Sequence, residues 1–182
     1  QDYGLAVKLY RKAANQGHAD AQYSLAMMYE KGHGVSQDYG RAVELLRKAA
    51  NQGHAGAQNN LAAMYANGQG VPQDYGRSVE LYRKAANQGH ADAQFNLALM
   101  YKNGQGVSQD YGLAVELYRK AANQGHARAQ YNLGIRYHFR NGHGVSQDYE
   151  RAVEWYRRAA NQGDAGAQSN LGIMYASGDG VL

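Results

Sequence analysis

The sequence predicts an all-α solenoid, in which helix–turn–helix repeats stack in order and share a core between neighbours. Three observations predict this fold class. A Gln-Asp-Tyr triplet recurs at Gln1, Gln37, Gln73, Gln109 and Gln147. The sequence therefore repeats every 36 residues, and the last interval is 38 residues long. Each period contains two segments with apolar residues at helical spacing, and glycines separate these segments. Neither segment can bury its apolar face alone, which is typical of stacked-repeat proteins.

The first helix of a period is predicted over residues 38–51 of the second copy. Asp38 is a good N-cap, because its carboxylate can accept hydrogen bonds from the unpaired amides of the first turn. Gly53 is predicted to end the helix in the left-handed conformation. Between them, residues at spacings of three, four and seven place one apolar stripe on the helix. The stripe consists of Tyr39, Ala42, Val43, Leu46, Ala49 and Ala50.

The second helix of the period is predicted over residues 55–67. It ends at Gly68, and the segment from Gly68 to Val71 turns the chain back towards the next copy. Its core side is predicted to carry Ala57, Leu61, Ala62, Met64 and Tyr65.

Bulk composition excludes several classes of protein. The net charge of +4 is spread evenly along the repeats, with no block of like charges typical of a nucleic-acid arm. The absence of cysteine excludes disulfides and thiolate metal sites, and it fits either the cytoplasm or the bacterial periplasm and envelope. No apolar run approaches the length of a transmembrane helix, so no membrane insertion is expected. No signal peptide is visible, and the chain is interpreted as a fragment because it starts inside the repeating pattern.

Each copy also carries a fixed set of short motifs: Ala-x-Ala, a Leu four residues before a Tyr, Gly-x-Gly-Val, an Asp, an Ala, and Lys-Ala-Ala-x-x-Gly. In these motifs the chain resembles the Sel1-like repeat family, which is related to the tetratricopeptide repeats. Ala26, Ala62 and Ala98 stand where the family usually has Gly, which Gly134 and Gly172 retain. In one copy the motifs are carried by Ala91, Ala93, Leu97, Tyr101, Gly104, Gly106, Val107, Asp110, Ala114, Lys120, Ala121, Ala122 and Gly125.

The resemblance implies a right-handed α/α superhelical solenoid with a concave groove. It also implies a role as an adaptor, because family members act in bacterial envelope, secretion and signalling assemblies and in some eukaryotic quality-control complexes. Residues 1–182 are predicted to form a single solenoid domain. Because a unit of the family begins with the second helix of the period, this domain divides into half units 1–18 and 165–182 and full units 19–54, 55–90, 91–126 and 127–164.

Repeated polar and aromatic residues are predicted to be structural. Fourteen of the sixteen tyrosines fall in repeating columns on the apolar stripes, which predicts a core role. His18, His54, His90 and His126 recur every 36 residues, with Asp164 in the fifth position. Ligands of one metal ion lie about 2 Å from it, whereas stacked repeats are offset by about 10 Å. The histidines therefore cannot share an ion, and a loop or capping role is expected.

Catalysis is not expected, and no cofactor or metal is predicted. The Gly-x-Gly-Val loops lack the Lys-Ser/Thr of a phosphate-binding P-loop and the strand that precedes it. The chain has no cysteine or threonine, and no serine stands in a nucleophile-like context.

The second helices vary most on the side opposite Leu61. This face combines apolar side chains, aromatic rings and amides, which suits a groove for a peptide. The alternative is that the face packs on the adjacent repeat. The predicted partner-binding residues are Tyr23, Met27, Asn59, Asn60, Phe95, Asn96, Leu99, Arg128, Tyr131, Asn132, Ile135 and Arg136.

The fourth unit departs most from the repeat. Arg128 and Arg136 replace residues of other types, and two extra residues enter the loop from His138 to Asn141. With Asn132 and Phe139, the arginines are spaced to line one ridge that could hold a carboxylate or an anionic peptide. The alternative is a drifted repeat with a solvated surface. Because a buried unpaired charge is costly, the Arg136 guanidinium is expected to reach solvent or a carboxylate.

The sequence therefore predicts a non-catalytic scaffold or adaptor that binds a protein or peptide segment in the groove of its second helices. The alternative function is a self-assembling or spacer array that packs through its uncapped ends. Nucleic-acid binding is not expected, because Arg and Lys alternate with Glu along the helices.

Overall fold

The computed structural model describes residues 2–140 and 144–181, and ordered structure within them consists of helices and turns. Gln1 of the first triplet and Asn141 of the fourth-unit loop lie outside the described residues. The all-α prediction with two helices per period is confirmed. The helices are α1 (Tyr3–Asn15), α2 (Ala19–Lys31), α3 (Tyr39–Asn51), α4 (Ala55–Asn67), α5 (Tyr75–Asn87), α6 (Ala91–Asn103), α7 (Tyr111–Asn123), α8 (Ala127–His138), α9 (Tyr149–Asn161) and α10 (Ala165–Ser177).

The helices form two compact units, Gln1–His90 and Ala91–Leu182. In the first unit each helix from α1 to α4 packs on the next one in the chain, and in the second unit each helix from α6 to α9 does the same. The core of each unit thus lies between successive helices, as a solenoid requires. Leu46 is fully buried in the first unit, and Tyr118, Leu133 and Tyr156 are fully buried in the second.

The first helix of each period begins and ends where its sequence predicts. The Asp38 carboxylate accepts a hydrogen bond of 2.9 Å from the Arg41 amide, which confirms the predicted N-cap. The same contact recurs at Asp74, Asp110 and Asp148. After the helix, Gly53 has a φ of +88°, which confirms the left-handed terminator.

Buried glutamines link successive helices, a feature that the sequence predictions do not include. Gln58 on α4 donates to the Ala50 carbonyl of α3 at 3.1 Å. Its own carbonyl oxygen accepts from Gln88, the residue after α5, at 2.7 Å. One side chain therefore joins three helices. In the second unit Gln130 makes the same two bonds, to Ala122 and from Gln162.

The tyrosine columns are only partly in the core. Tyr65 is 6% exposed, and its hydroxyl accepts from Arg47 at 2.9 Å and Arg77 at 3.4 Å. Burial works to raise its pKa, but the hydrogen bonds from the two arginines leave it below the usual value. Tyr149 and Tyr175, by contrast, are 36% and 52% exposed. The prediction of a core role is wrong for these two. Tyr149 is the first residue of α9, and Tyr175 on α10 has no following helix among the described residues to cover it, whereas α5 supplies Arg77 to Tyr65.

Candidate functional site

The outward side of the second helices carries a regular pattern of amides and apolar groups. Positions three residues apart lie on the same side of each helix, because three residues make most of one helical turn. We call this pattern the Asn–apolar stripe, and its residues are half-buried except for Ile173, which is 55% exposed. It consists of Met27, Asn60 and Ala63 in the first unit and of Asn96, Leu99, Asn132, Ile135, Asn170 and Ile173 in the second.

Hydrogen bonds orient several amides of the stripe. Asn132 donates to the Arg128 carbonyl of its own helix at 2.8 Å. Asn60 donates to the sulfur of Met27 at 3.1 Å, which links α4 to α2, and its own carbonyl oxygen accepts from Asn59 at 3.0 Å. These contacts fix the amides before any ligand binds. A preorganised amide loses less conformational freedom on binding than a mobile one.

The aromatic column beside the stripe packs on the next repeat. The Tyr23 ring stacks on His54 at a centroid distance of 4.7 Å, and the Phe95 ring stacks on His126 at 4.6 Å. Tyr131 lies 6.0 Å from the Tyr156 ring. At these three positions the outward face of the second helix packs on the adjacent repeat, which is the alternative to a peptide groove.

Burial divides the predicted site residues into two groups. Phe95 is 2% exposed, Asn59 is 8% exposed and Arg136 is 9% exposed, so each leaves little surface for a ligand. Arg128 is exposed, and the remaining predicted residues are half-buried. A direct contact between a partner and the three buried residues stays a prediction.

Two of the repeated histidines cap the helices that follow them. His126 Nδ1 accepts from the Ala129 amide at 3.1 Å, and its Nε2 lies 3.2 Å from the Asp92 carboxylate. His54 makes the same contacts, to Ala57 and Asp20. Because Nδ1 accepts a hydrogen bond, the proton of the neutral ring resides on Nε2. The predicted capping role is confirmed for these two histidines, whereas His18 makes no side-chain cap bond.

The fourth unit separates its two arginines. The Arg128 guanidinium lies 4.8 Å from the centroid of the Phe95 ring, a cation–π contact on an exposed side chain. Arg136 lies one position beyond the stripe and occupies a column that otherwise holds methionine. The Arg136 side chain forms no ion pair with a described carboxylate. None of its nitrogens is among the described buried atoms that lack a hydrogen-bond partner, which agrees with the expectation that the guanidinium reaches solvent. The four residues predicted to line one ridge differ in exposure, since Arg136 is 9% exposed and Phe139 is 54% exposed.

Tyr118 on α7 and Tyr156 on α9 occupy the same position in successive repeats, but their hydroxyls are bonded differently. The Tyr156 hydroxyl lies 3.3 Å from His138 Nδ1 and bonds to Asn170. The Tyr118 hydroxyl, in the same column, has no hydrogen-bond partner among the described residues. Burial raises the pKa of Tyr118 to about 12, and Arg136 and Arg128 act in the opposite direction.

Other classes of site are not supported by the described part of the chain. Over residues 2–140 and 144–181, no three histidine or carboxylate side chains lie together as metal ligands would. None of the described helices combines the length and the apolar character needed to cross a bilayer.

Comparison with known proteins identifies related sequences and structures. The family model described as the Sel1 repeat matches residues 1–18, 19–54, 55–90, 91–126, 127–164 and 165–182. Among curated protein sequences, none matches the chain significantly.

Three solved structures illustrate the similarity. The first is c5321, described as a protective antigen present in uropathogenic Escherichia coli strains, with 40% identity, a TM-score of 0.91 and coverage of 96% of this chain and 37% of that one. The second is a Sel1 repeat protein from Oxalobacter formigenes, with 38% identity, a TM-score of 0.90 and coverage of 97% and 71%. The third is the immunity protein PA5088 from Pseudomonas aeruginosa, with 27% identity, a TM-score of 0.58 and coverage of 88% and 58%. The chain thus spans little more than a third of the first protein.

Proposed function

We propose that the chain, which belongs to the Sel1 repeat family, binds an extended peptide segment along the part of the Asn–apolar stripe that lies in the second unit. Members of this family are generally non-enzymatic scaffolds for protein interaction. The observation that carries the proposal is the stripe itself. In the second unit, apolar side chains repeat on one outward side of the second helices, and an asparagine stands three residues before each of them.

The chemistry of the stripe matches that of an extended peptide. Leu99, Ile135 and Ile173 offer apolar surface that a partner side chain can cover. Asn96, Asn132 and Asn170 each carry a donor and an acceptor, which is what the backbone of an extended peptide needs. Burial of the apolar surface supplies affinity, and the amides hold the peptide in register.

Peptide selection followed by mutation tests this function. Peptides would be selected by display on the intact chain, and their affinities measured by calorimetry. Leu99→Ser combined with Ile135→Ser should weaken binding by about ten-fold or more, because interface anchors of this kind contribute more than 1 kcal/mol each. Leu113→Ser is the matched control, since Leu113 is a half-buried leucine on α7, outside the stripe. Equal affinities for the stripe variant and the unmodified chain would rule out the proposed surface.

A second candidate function is self-association through the terminal helices. It is favoured by Leu5 and Leu9 on α1, which are 53% and 56% exposed, and by Tyr175 on α10. Large exposed apolar residues of this kind mark interaction surfaces when they cluster. Light scattering over a range of concentrations tests it: growth of the molar mass with concentration would support assembly, and a constant monomer mass would exclude it.

A further inference from the structure

We propose that the first unit binds a phosphate monoester in a cleft beside α1, where Lys8, Arg11 and Lys12 hold the phosphate oxygens. This site is separate from the part of the Asn–apolar stripe that lies in the second unit, and it takes a different class of ligand. The inference therefore does not depend on the peptide function proposed above.

The cleft has a volume of about 380 Å³ and lies between α1 and the loop around Gly34. Lys8, Arg11 and Lys12 line it, and no carboxylate is among the described residues that do so. A Cβ built on Gly34 would lie 2.5 Å from the Tyr3 carbonyl oxygen, so the loop packs directly on the first turn of α1. This contact holds the wall of the cleft in place before a ligand binds, which lowers the cost of ordering.

Lys8 gives this cleft a charge that the other copies do not have. The equivalent residues are Glu44, Glu80, Glu116 and Glu154. In the last copy Glu154 lies 2.5 Å from Arg158, which occupies the Lys12 position. In the first copy Lys8 and Lys12 replace this ion pair by two like charges four residues apart on a helix, and such charges repel each other. A bound anion would offset that repulsion.

Arg11 is oriented by a hydrogen bond at one side of the cleft. Its Nη2 donates to the Tyr29 hydroxyl at 3.1 Å, and Arg41 Nη1 donates to the same oxygen at 3.2 Å. Tyr29 is buried, so it anchors the guanidinium, while the side chain of Arg11 stays exposed to a ligand. A guanidinium carries five N–H donors, and this bond uses one of them. The remaining donors can bond to two oxygens of one phosphate.

The charge of the cleft favours a dianion. None of its three cations, Lys8, Arg11 and Lys12, forms an ion pair with a described carboxylate. Asp38 lines a neighbouring cleft, but it pairs with Arg41 at 3.3 Å. A phosphate monoester carries a charge of about −1.5 to −2 near pH 7 and three strong acceptor oxygens. A carboxylate has less charge and fewer oxygens to place among three cations.

The neighbouring cleft leaves room for the group that carries the phosphate. Its volume is about 350 Å³, and it shares Arg11 and Val35 with the first cleft. Ser36 and Gln37 add polar groups to its lining. A phosphorylated side chain or a small phosphate monoester can therefore bind with its phosphate against α1 and the rest of the molecule against residues 35–37.

Titrations of the intact chain, followed by NMR of its backbone amides at constant ionic strength, test the site. The probes are inorganic phosphate, an acetylated and amidated Ala-phosphoserine-Ala peptide, and acetate, all at about pH 8, where the phosphates are dianions. Both phosphate probes should shift the amides of Lys8, Arg11, Lys12 and Gly34 in a saturable way. Acetate should bind about ten-fold more weakly, because it carries half the charge.

The relative affinities of the two phosphate probes identify the source of the ligand. Tighter binding of the peptide would assign the site to phosphorylated side chains. Equal or tighter binding of inorganic phosphate would assign it to small phosphates. Either result supports the cleft as a phosphate site.

Charge reversal at Lys8 is the direct variant. Lys8→Glu restores the residue of the other copies and allows a favourable pair with Lys12, so the variant should fold. It should weaken both phosphate probes by about ten-fold or more, because it replaces an attraction to the dianion by a repulsion. Lys84→Glu is the matched control, since it changes the net charge equally at an exposed position of α5. It should bind phosphate as the unmodified chain does.

A second pair of variants separates ligand binding from the structural role of Arg11. Arg11→Gln removes a ligand donor together with the bond to Tyr29. Arg47→Gln removes the equivalent bond to Tyr65, which is 2.9 Å long, at a residue that does not line the cleft. Both variants should lower the thermal midpoint by similar amounts, but only Arg11→Gln should weaken the phosphate probes several-fold.

Three results would overturn the site. The first is the absence of saturable shifts around α1 with either phosphate probe, and the second is the same phosphate affinity in Lys8→Glu and the unmodified chain. The third is acetate binding as tight as that of phosphate, because the cleft would then not select a dianion. Leu99→Ser with Ile135→Ser alters the second unit and should leave phosphate binding unchanged, so this inference and the peptide function can fail separately.

Discussion

Single side chains of the repeat have roles that depend on their protonation. His126 accepts a backbone N–H through Nδ1, stacks on Phe95 and lies against Asp92. Burial lowers its pKa, with the Asp92 carboxylate acting in the opposite direction. Protonation at Nδ1 would place a donor against the Ala129 N–H and break the cap. The folded state therefore favours the neutral ring.

The stability of the chain should depend on this histidine at mildly acidic pH. Because the folded pKa of His126 is lower than the unfolded value near 6.5, the unfolded chain binds more protons as pH falls through that value. The contribution of the neutral His126 ring to the free energy of unfolding is fully present above pH 6.5 and is lost as the pH falls below that value. His126→Asn keeps a capping side chain without a titrating ring, so the fall in unfolding free energy below pH 6.5 should become shallower.

Denaturant unfolding at several pH values measures this effect. His18→Asn is the control, because His18 makes no side-chain cap bond, and it should leave the pH dependence close to that of the unmodified chain. The same slope in His126→Asn and the unmodified chain would contradict the assignment of the cap.

Gly70 is required at the closest approach of two backbone segments. Its φ is +70°, and a Cβ built there would lie 2.5 Å from the Tyr39 carbonyl oxygen. Gly70→Ala should therefore destabilise the chain by the left-handed conformation, roughly 1–2 kcal/mol, and by overpacking, roughly 1–3 kcal/mol more. Gly53→Ala separates the two causes, because Gly53 has a φ of +88° but open space around it. Equal losses of unfolding free energy in the two variants would contradict the close contact.

At the scale of the helix, buried glutamines are the polar links between neighbours. Gln58 joins α3, α4 and the end of α5 through two hydrogen bonds. Gln58→Leu removes both interhelical bonds, while the Ala50 carbonyl keeps its bond from the Gly53 amide and Gln88 keeps its bond to the Lys84 carbonyl. Because each lost hydrogen bond contributes roughly 0.5–1.5 kcal/mol net, the variant should lose roughly 1–3 kcal/mol of unfolding free energy.

Gln16 is the matched control for this link. It occupies the Gln88 position of an earlier copy, but its described bond is to the Lys12 carbonyl of its own helix. Gln16→Leu should change the unfolding free energy by less than about 0.5 kcal/mol. A similar cost for both variants in chemical denaturation would show that the interhelical bonds are not the cause.

The helix boundaries could be predicted from sequence, but the packing of their faces only in part. Asp38 and Gly53 act locally, so their positions predict where α3 begins and where it ends. A helical wheel gives the angles of side chains around one helix, but it contains no information about which side the next repeat covers. For this reason the predicted outward face includes Phe95 and Asn59, although both are buried. The buried glutamines were missed, although an Ala-Gln pair recurs at the same position in every copy.

At the scale of the whole chain, most positions repeat from copy to copy and a small set of positions varies. The period, the caps and the glycine turns predict the fold because every copy repeats them. The candidate site could be predicted only where variation falls on half-buried outward positions, as at Leu99 and Ile135. The burial of Arg136 and the unpaired hydroxyl of Tyr118 depend on the packing of three helices, which no pattern within a single helix contains.

Methyl-resolved NMR of the intact chain with a display-selected peptide locates the binding surface most directly. The methyl resonances of Leu99, Ile135 and Ile173 should shift in proportion to peptide bound, because these side chains form the apolar part of the stripe. Those of Leu113 and Leu117, on α7, should stay close to their free positions. Saturable binding with its largest shifts on α7, and none along the stripe, would contradict the account.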